Sequence, residues 1–139
     1  MSIVKSVKRA IYDNLLLLGI DCYVPIDIVQ RFLSTVEDGI SWVPFSFNIP
    51  QGAPLAIVET GKGCCWHTAR GIVGIKKKDY EKVGGYEESL PLISNRTDSN
   101  FYLRMCKGLK KVIMRKEVGL FHVNHYGSNA SKLWRVEDA

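Results

Sequence analysis

Two aspartates stand where this sequence has the means to do chemistry. Asp98 lies in the stretch Ser94 to Gly108, SNRTDSNFYLRMCKG, where polar residues give way to an amphipathic run that stops at Gly108. An aspartate at the mouth of a helix can cap it by accepting backbone N–H groups. An aspartate facing a cleft can instead take a proton from a hydroxyl as that hydroxyl attacks. Asp21 follows the apolar run Leu15 to Ile20. In open α/β sheets ligands gather beyond the carboxyl ends of the strands, so a functional carboxylate is expected at such a place.

Softer ligands form a second set. Cys64, Cys65, Trp66 and His67 are consecutive, and Cys106, His122 and His125 follow later. Thiolates and imidazoles are the ligands zinc prefers, but the spacing matches no common zinc motif and vicinal cysteines chelate one ion poorly. A small buried hydrophobe is the ordinary role of cysteine. The run Lys76-Lys77-Lys78 could neutralise phosphate, although lysines at a strand-to-helix turn are usually solvated.

The totals limit the choice of class. The 139 residues are 46% hydrophobic, which suits one globular domain with a real core and excludes a disordered or fibrous chain. Four cysteines, two of them adjacent, make a poor disulfide framework, so reduced thiols and a cytoplasmic setting are expected. The longest apolar run is too short to cross a bilayer, and no secretory pattern opens the sequence. The net charge of +5 steers anionic partners. A nucleic-acid-binding module rests on that charge and the lysine clusters alone, since no recognised motif accompanies them.

The elements that must position these groups can be read from periodicity. Ile3, Val7, Ala10 and Ile11 predict an amphipathic opening helix. Leu15 to Ile20 reads as a strand covered on both faces in a mainly parallel sheet. A helix follows from Pro25, with Asp27 as cap, Gln30 as its capping-box partner, Ile28, Phe32, Leu33 and Val36 as its buried face, and Asp38-Gly39 as its stop. Pro44, Pro50 and Pro54 predict an irregular, partly extended excursion from Ile40 to Pro54, whose aromatics serve as core or as a binding wall. Strands are expected over Leu55 to Glu59 and Gly71 to Lys76, flanking a glycine-bearing loop, TGKGCCWHTARG. A short helix from Lys78 to Val83 ends at Gly84-Gly85, and a helix from about Asp98 to Lys107 is capped by Thr97 or Asp98. Val112 to Met114 and Val118 to Val123 are the last strand candidates, with no linker or repeat dividing the chain.

Taken in order, three of these segments resemble the family 2 type of nucleotide-sugar glycosyltransferase, of GT-A architecture. NLLLLGIDCYVPIDIVQRFLSTVEDG, Asn14 to Gly39, is similar to the family's apolar strand, metal-binding Asp-x-Asp and following helix, with Asp21 on the first aspartate and Tyr23 in place of the second. GIVGIKKKDYEKVGGYEES, Gly71 to Ser89, is similar to the strand and short helix that lead to Gly-Gly-aromatic-acid, here Gly84, Gly85, Tyr86 and Glu87. TDSNFYLRMCKGLK resembles the helix that carries the catalytic base, with Asp98 on the base, Arg104 on the basic residue and Asn100 in place of a second aspartate. GLFHVNH resembles a later strand in which a histidine completes the metal or diphosphate site, His122 ahead of His125.

The resemblance covers roughly residues 10 to 126 and only the later part of the family domain. It implies an α/β fold, a partial GT-A (Rossmann-like) mixed sheet flanked by helices, with the nucleotide-binding N-terminal portion having no counterpart, so that residues 1–139 form one truncated domain. It implies transfer of a sugar from a nucleoside diphosphate sugar to an acceptor hydroxyl, inverting, with Asp98 as base. Asp21, Arg104 and His122 would serve the diphosphate, and Asp21 with His122 a Mg²⁺ or Mn²⁺ ion. Trp66, His67, Gly84, Gly85 and Tyr86 would line the acceptor side, where a sugar ring can stack on the indole. A non-catalytic remnant that binds a sugar, a nucleotide or a partner chain is the alternative. The strands without counterpart leave a sheet edge open, which implies pairing with a second copy or with a partner that completes the sheet.

Overall fold

The computed structural model describes residues 3–19, 22–49, 65–68, 71–89 and 96–123. Within them the chain folds into two mixed four-stranded sheets flanked by helices. In chain order the elements are α1 (Ile3–Arg9), β1 (Asn14–Leu17), β2 (Cys22–Tyr23), α2 (Ile26–Thr35), β3 (Ile40–Trp42), β4 (Phe45–Ile49), β5 (Cys65–Thr68), β6 (Val73–Lys76), α3 (Lys77–Lys82), α4 (Arg96–Gly108), β7 (Lys111–Ile113) and β8 (Lys116–Val123). The first sheet has the order β1-β6-β3-β7 and the second β2-β8-β4-β5.

The strand expected over Leu15 to Ile20 is observed as β1, Asn14–Leu17, with Leu15 to Leu17 packed on both faces; Leu18 is exposed and Ile20 lies outside the described residues. Leu15 and Leu17 enter a core shared with Val7 of α1, Tyr80 of α3 and Phe101 and Met105 of α4, while Leu16 packs on the opposite face against the α2 core of Ile28, Phe32 and Trp42. The sheet is not mainly parallel, however. β1 pairs antiparallel with β6 and β6 antiparallel with β3; only β3 and β7 run together. Two-sided burial determines that a strand is apolar throughout, and it is silent on the direction of its neighbour.

β3 and β7 continue into β4 and β8, so that one parallel strand pair joins the two sheets. Across the joint, Val43 N–H donates to Ile113 O at 2.9 Å and Phe45 N–H to Arg115 O at 2.9 Å. Pro44, which lacks an N–H, occupies the step between those two bonds. Over residues 40–49 the expected irregular excursion is therefore two strands with a proline at their junction, and Pro50 and Pro54 lie outside the described residues. Trp42 belongs wholly to the core, and Phe47 stacks on Phe121 at 5.8 Å.

Local chemistry differs from expectation at α2. Pro25, extended at φ −70° and ψ 161°, takes the N-cap position, and its carbonyl receives the Ile28 N–H at 3.1 Å. Asp27 accordingly lies inside the first turn and pairs with Arg31 one turn on, at 3.1 Å. Ile28, Phe32 and Val36 are buried as expected, whereas Leu33 points outward and is half exposed. Gly74 explains how closely α2 lies on the sheet: a Cβ there would come within 2.4 Å of the Phe32 ring.

Glu117 pins α2 to the joint between the sheets. It is 3% exposed, accepts the Trp42 indole N–H at 3.2 Å, and pairs with Arg31 Nε at 3.0 Å and Arg115 Nε at 2.7 Å. At the far end of the first sheet, the buried Asp79 carboxylate accepts the Gly39 N–H at 2.7 Å, so α3 holds the turn between α2 and β3; α2 itself ends at Thr35 with Val36 as its C-cap, before the expected stop at Asp38-Gly39. Gly39 has φ +78°, the left-handed conformation that glycine adopts without cost.

Candidate functional site

α4 starts at Arg96, which puts Asp98 in its first turn rather than at its cap. A cap residue keeps a non-helical backbone, so neither Thr97 nor Asp98 holds that position. The aspartate remains well placed for a negative charge, because the first turn carries the positive end of the helix dipole. Its side chain is half-buried, and one carboxylate oxygen faces the backbone of Gly71, where an added Cβ would lie 3.4 Å from it. Glycine thus leaves the carboxylate bordered by main chain on this side, with no side chain between them.

Tyr86 borders it on another. The ring is 8% exposed, stacked on Phe101 at 4.5 Å and tilted against Tyr80 at 6.3 Å. Its hydroxyl faces the Asp98 carboxylate. Burial, and then the negative charge of Asp98, push this phenol far above the usual tyrosine range. Tyr80 is raised too, first by burial, against the opposing effects of the Tyr86 N–H and the Arg104 charge.

The two glycines before Tyr86 allow this packing. Gly84 and Gly85 have φ of +83° and +61°, and a Cβ on Gly85 would lie 2.7 Å from the Tyr80 ring. The turn folds back over that ring: Gly85 N–H donates to Tyr80 O at 2.9 Å, and Tyr86 N–H donates to the Tyr80 hydroxyl at 3.0 Å. Arg104 closes the arrangement from α4. Its Nη1 donates to Val83 O at 2.6 Å and its Nε to Asn100 Oδ1 at 2.9 Å, with the guanidinium 5.6 Å from the centre of the Phe101 ring. Glu87, on the surface beyond the turn, is lowered mainly by hydrogen bonds from Ser89 and further by Arg104.

Five of the expected site residues therefore meet in one place: Asp98, Gly84, Gly85, Tyr86 and Arg104. His122 belongs to the second sheet, where β8 sets it opposite Cys22 on one side and Asn48 on the other. Asp21, the residue before Cys22, lies outside the described residues, as do His125, Cys64 and the expected strand Leu55 to Glu59. Cys65 to Thr68 form strand β5 rather than a loop, with Trp66 opposite Phe47 and His67 opposite Ser46; the side chains of Trp66 and His67 are outside the description. Tyr23 is exposed and tilted against Phe121 at 6.3 Å.

A hard divalent cation asks for several oxygen ligands. Among the described residues no three His, Cys, Asp or Glu side chains gather to hold a metal ion. These residues do not make a cage for Mg²⁺ or Mn²⁺, and no chemical step below passes through one. The lysine run is also removed from the carboxylate. Asp98 lies against Gly71, which precedes the first residue of β6, whereas Lys76 is its last; Lys77 donates to Ala10 O at 2.8 Å, and Lys78 pairs with Asp38.

Two contributors escaped the sequence reading. Tyr80 builds the floor of the turn, and the signal is present in its position four residues before a Gly-Gly-aromatic step. The sequence marks Gly71 only as a strand end, and nothing in it shows that this backbone faces Asp98. No family model matches the chain, and no curated protein matches its sequence.

Proposed function

We propose that this chain is a glycosyltransferase-like domain of GT-A type that transfers a sugar from a nucleoside diphosphate sugar to an acceptor hydroxyl with inversion. One observation supports the reading above the others: the Gly84-Gly85-Tyr86 turn and the Asp98 to Arg104 helix, resembling the family at separate places in the sequence, pack against each other around one half-buried carboxylate. In this reading an acceptor hydroxyl approaches Asp98 across Gly71. Asp98 takes the proton as the acceptor oxygen bonds to the anomeric carbon, and the bond to the diphosphate breaks on the opposite face. Trp66, His67, Gly84, Gly85 and Tyr86 belong to the acceptor side. Arg104 and His122, with Asp21, are assigned to the diphosphate.

The same reading expects the nucleotide half of the fold from another polypeptide or a second copy. β1 is consistent with this, since among the described residues it pairs on one side only, with β6. A monomer at high concentration in sedimentation would count against it.

The second reading, a non-catalytic remnant that binds a sugar, nucleotide or partner chain, draws on Asn100. Where the family places a carboxylate, this amide accepts from Arg104 and serves the helix. Titration with a panel of nucleoside diphosphate sugars, with and without Mn²⁺ and followed by melting temperature, tests both. Binding of a donor, with sugar transfer lost in Asp98→Asn while donor binding persists, supports catalysis. Donor binding without transfer to any acceptor supports the remnant, and no shift with any donor overturns both for the chain alone.

A further inference from the structure

The end of the first sheet away from Asp98 carries a surface that glycosyl transfer does not use. Strand register brings Asn14 beside Lys76 and Ile40 beside Lys111. Lys110 packs along Gly39, and the charges of Lys76, Lys78 and Lys110 all act on Asp38. These lysines come from two separate segments, 76–78 and 110–111, so their convergence is a property of the fold rather than of one charged run.

Beside them, the link between α1 and β1 presents Ile11 and Tyr12, respectively 85% and 75% exposed. A large aliphatic and an aromatic side chain thus stand together in water. The link is nevertheless held on both sides of the pair. Lys77 Nζ donates to Ala10 O at 2.8 Å before it, and Lys77 N–H donates to Asp13 O at 2.7 Å after it. Two apolar side chains are thus presented on a fixed backbone at the same end of the sheet as the lysines.

We propose that this end of the molecule docks on an anionic lipid bilayer, with Ile11 and Tyr12 entering the headgroup region and Lys76, Lys110 and Lys111 meeting the lipid charge. Apolar insertion and electrostatic attraction are the two contributions that hold a protein at a membrane surface. Aromatic residues favour the headgroup level, where an apolar ring and a polar tip are both satisfied. The exposed isoleucine decides against nucleic acid. A base can stack on tyrosine, but Ile11 offers a polyanion in water nothing that it offers a lipid. The inference is independent of the proposed transfer reaction.

The test is co-sedimentation of the full chain with vesicles of phosphatidylcholine alone and with phosphatidylserine added. Binding should require the anionic lipid and weaken with salt. Each lysine near an anionic surface is worth about a fivefold change in affinity, so Lys110→Glu with Lys111→Glu should reduce binding at least tenfold. Ile11→Ser with Tyr12→Ser should reduce it about tenfold. Both pairs are exposed, and an unchanged melting temperature will show that the fold is retained. Absence of binding to the anionic vesicles at low salt would overturn the proposal. So would vesicle binding that the Ile11→Ser, Tyr12→Ser variant leaves intact, or chain binding to polyuridine but not to vesicles.

Discussion

Truncating Glu117 should cost this protein about 2–4 kcal/mol of stability, most of it through one indole. The carboxylate is 3% exposed and has three partners: Trp42 Nε1 at 3.2 Å, Arg31 Nε at 3.0 Å and Arg115 Nε at 2.7 Å. The partners do not respond alike to Glu117→Ala. Trp42 is fully buried, so its N–H loses its acceptor with no water to replace it, at a cost of about 1–3 kcal/mol. The arginine side chains are 40% and 46% exposed and can turn to solvent, which leaves each pair worth about 0.5 kcal/mol. Arg31 also keeps Asp27, and Arg115 keeps its hydrogen bond to the Thr35 hydroxyl. Glu117→Gln retains a carbonyl oxygen for the indole, so it should cost about 1–2 kcal/mol. Urea unfolding of the two variants and the wild type measures all three. If alanine and glutamine cost the same within about 0.5 kcal/mol, the indole is not the dominant partner and this reasoning is refuted. An alanine variant within about 0.5 kcal/mol of wild type would refute it as well.

Gly74→Ala puts a Cβ within 2.4 Å of the buried Phe32 ring and 3.0 Å of Val36, so it should destabilise by about 1–3 kcal/mol, read as a lower urea midpoint. Arg104→Lys keeps the charge but not the fork that reaches both Val83 O and Asn100, and should lower the unfolding free energy by about 1–2 kcal/mol. Alkaline stability follows from the tyrosines. Tyr80 and Tyr86 are raised in the fold above their unfolded value, so the native state holds protons that the unfolded state gives up. Their contribution is complete below about pH 10 and is lost as pH rises beyond it, so melting temperature should fall there, less steeply in Tyr86→Phe. An identical slope in that variant would show that Tyr86 is not the group responsible.

Much of the element order was legible because its signals are local. The Gly84-Gly85 stop of α3 and the buried face Ile28, Phe32 and Val36 of α2 follow from helical spacing and from the backbone freedom of glycine. The misreadings share a different cause. Asp27 has the composition of a cap, but the carbonyl of Pro25 receives the first helical bond, and no side-chain rule anticipates that. Pro44 argued against strands over Ile40 to Pro54, yet one missing N–H costs nothing at a step where the ladder passes from β3 to β4. Cys65 to Thr68 became a strand because β4 offered it an edge, a tertiary fact that the glycines around it concealed. Glu117 was invisible for the same reason: its three partners come from α2, β3 and the turn into β8.

The alternatives left open at Asp98 are separated by helix geometry rather than by residue type. Had α4 begun after Asp98, the side chain would have been positioned to accept N–H groups of its own first turn, and a cleft in front of it would have been unnecessary. With Arg96 as the first helical residue, Asp98 instead projects from the turn toward Gly71 and the Tyr86 hydroxyl, groups that come from other elements. The Tyr86 phenol is 8% exposed, and its hydroxyl faces that carboxylate. A phenylalanine would stack on Phe101 equally well, so Tyr86→Phe should leave stability at neutral pH unchanged or raise it. If that variant also loses affinity for whatever hydroxyl compound reaches Asp98, the hydroxyl is kept for the ligand. If Tyr86→Phe destabilises by about 1 kcal/mol or more, the Tyr86 and Asp98 pair is a structural contact and the carboxylate has no need of a substrate to explain it.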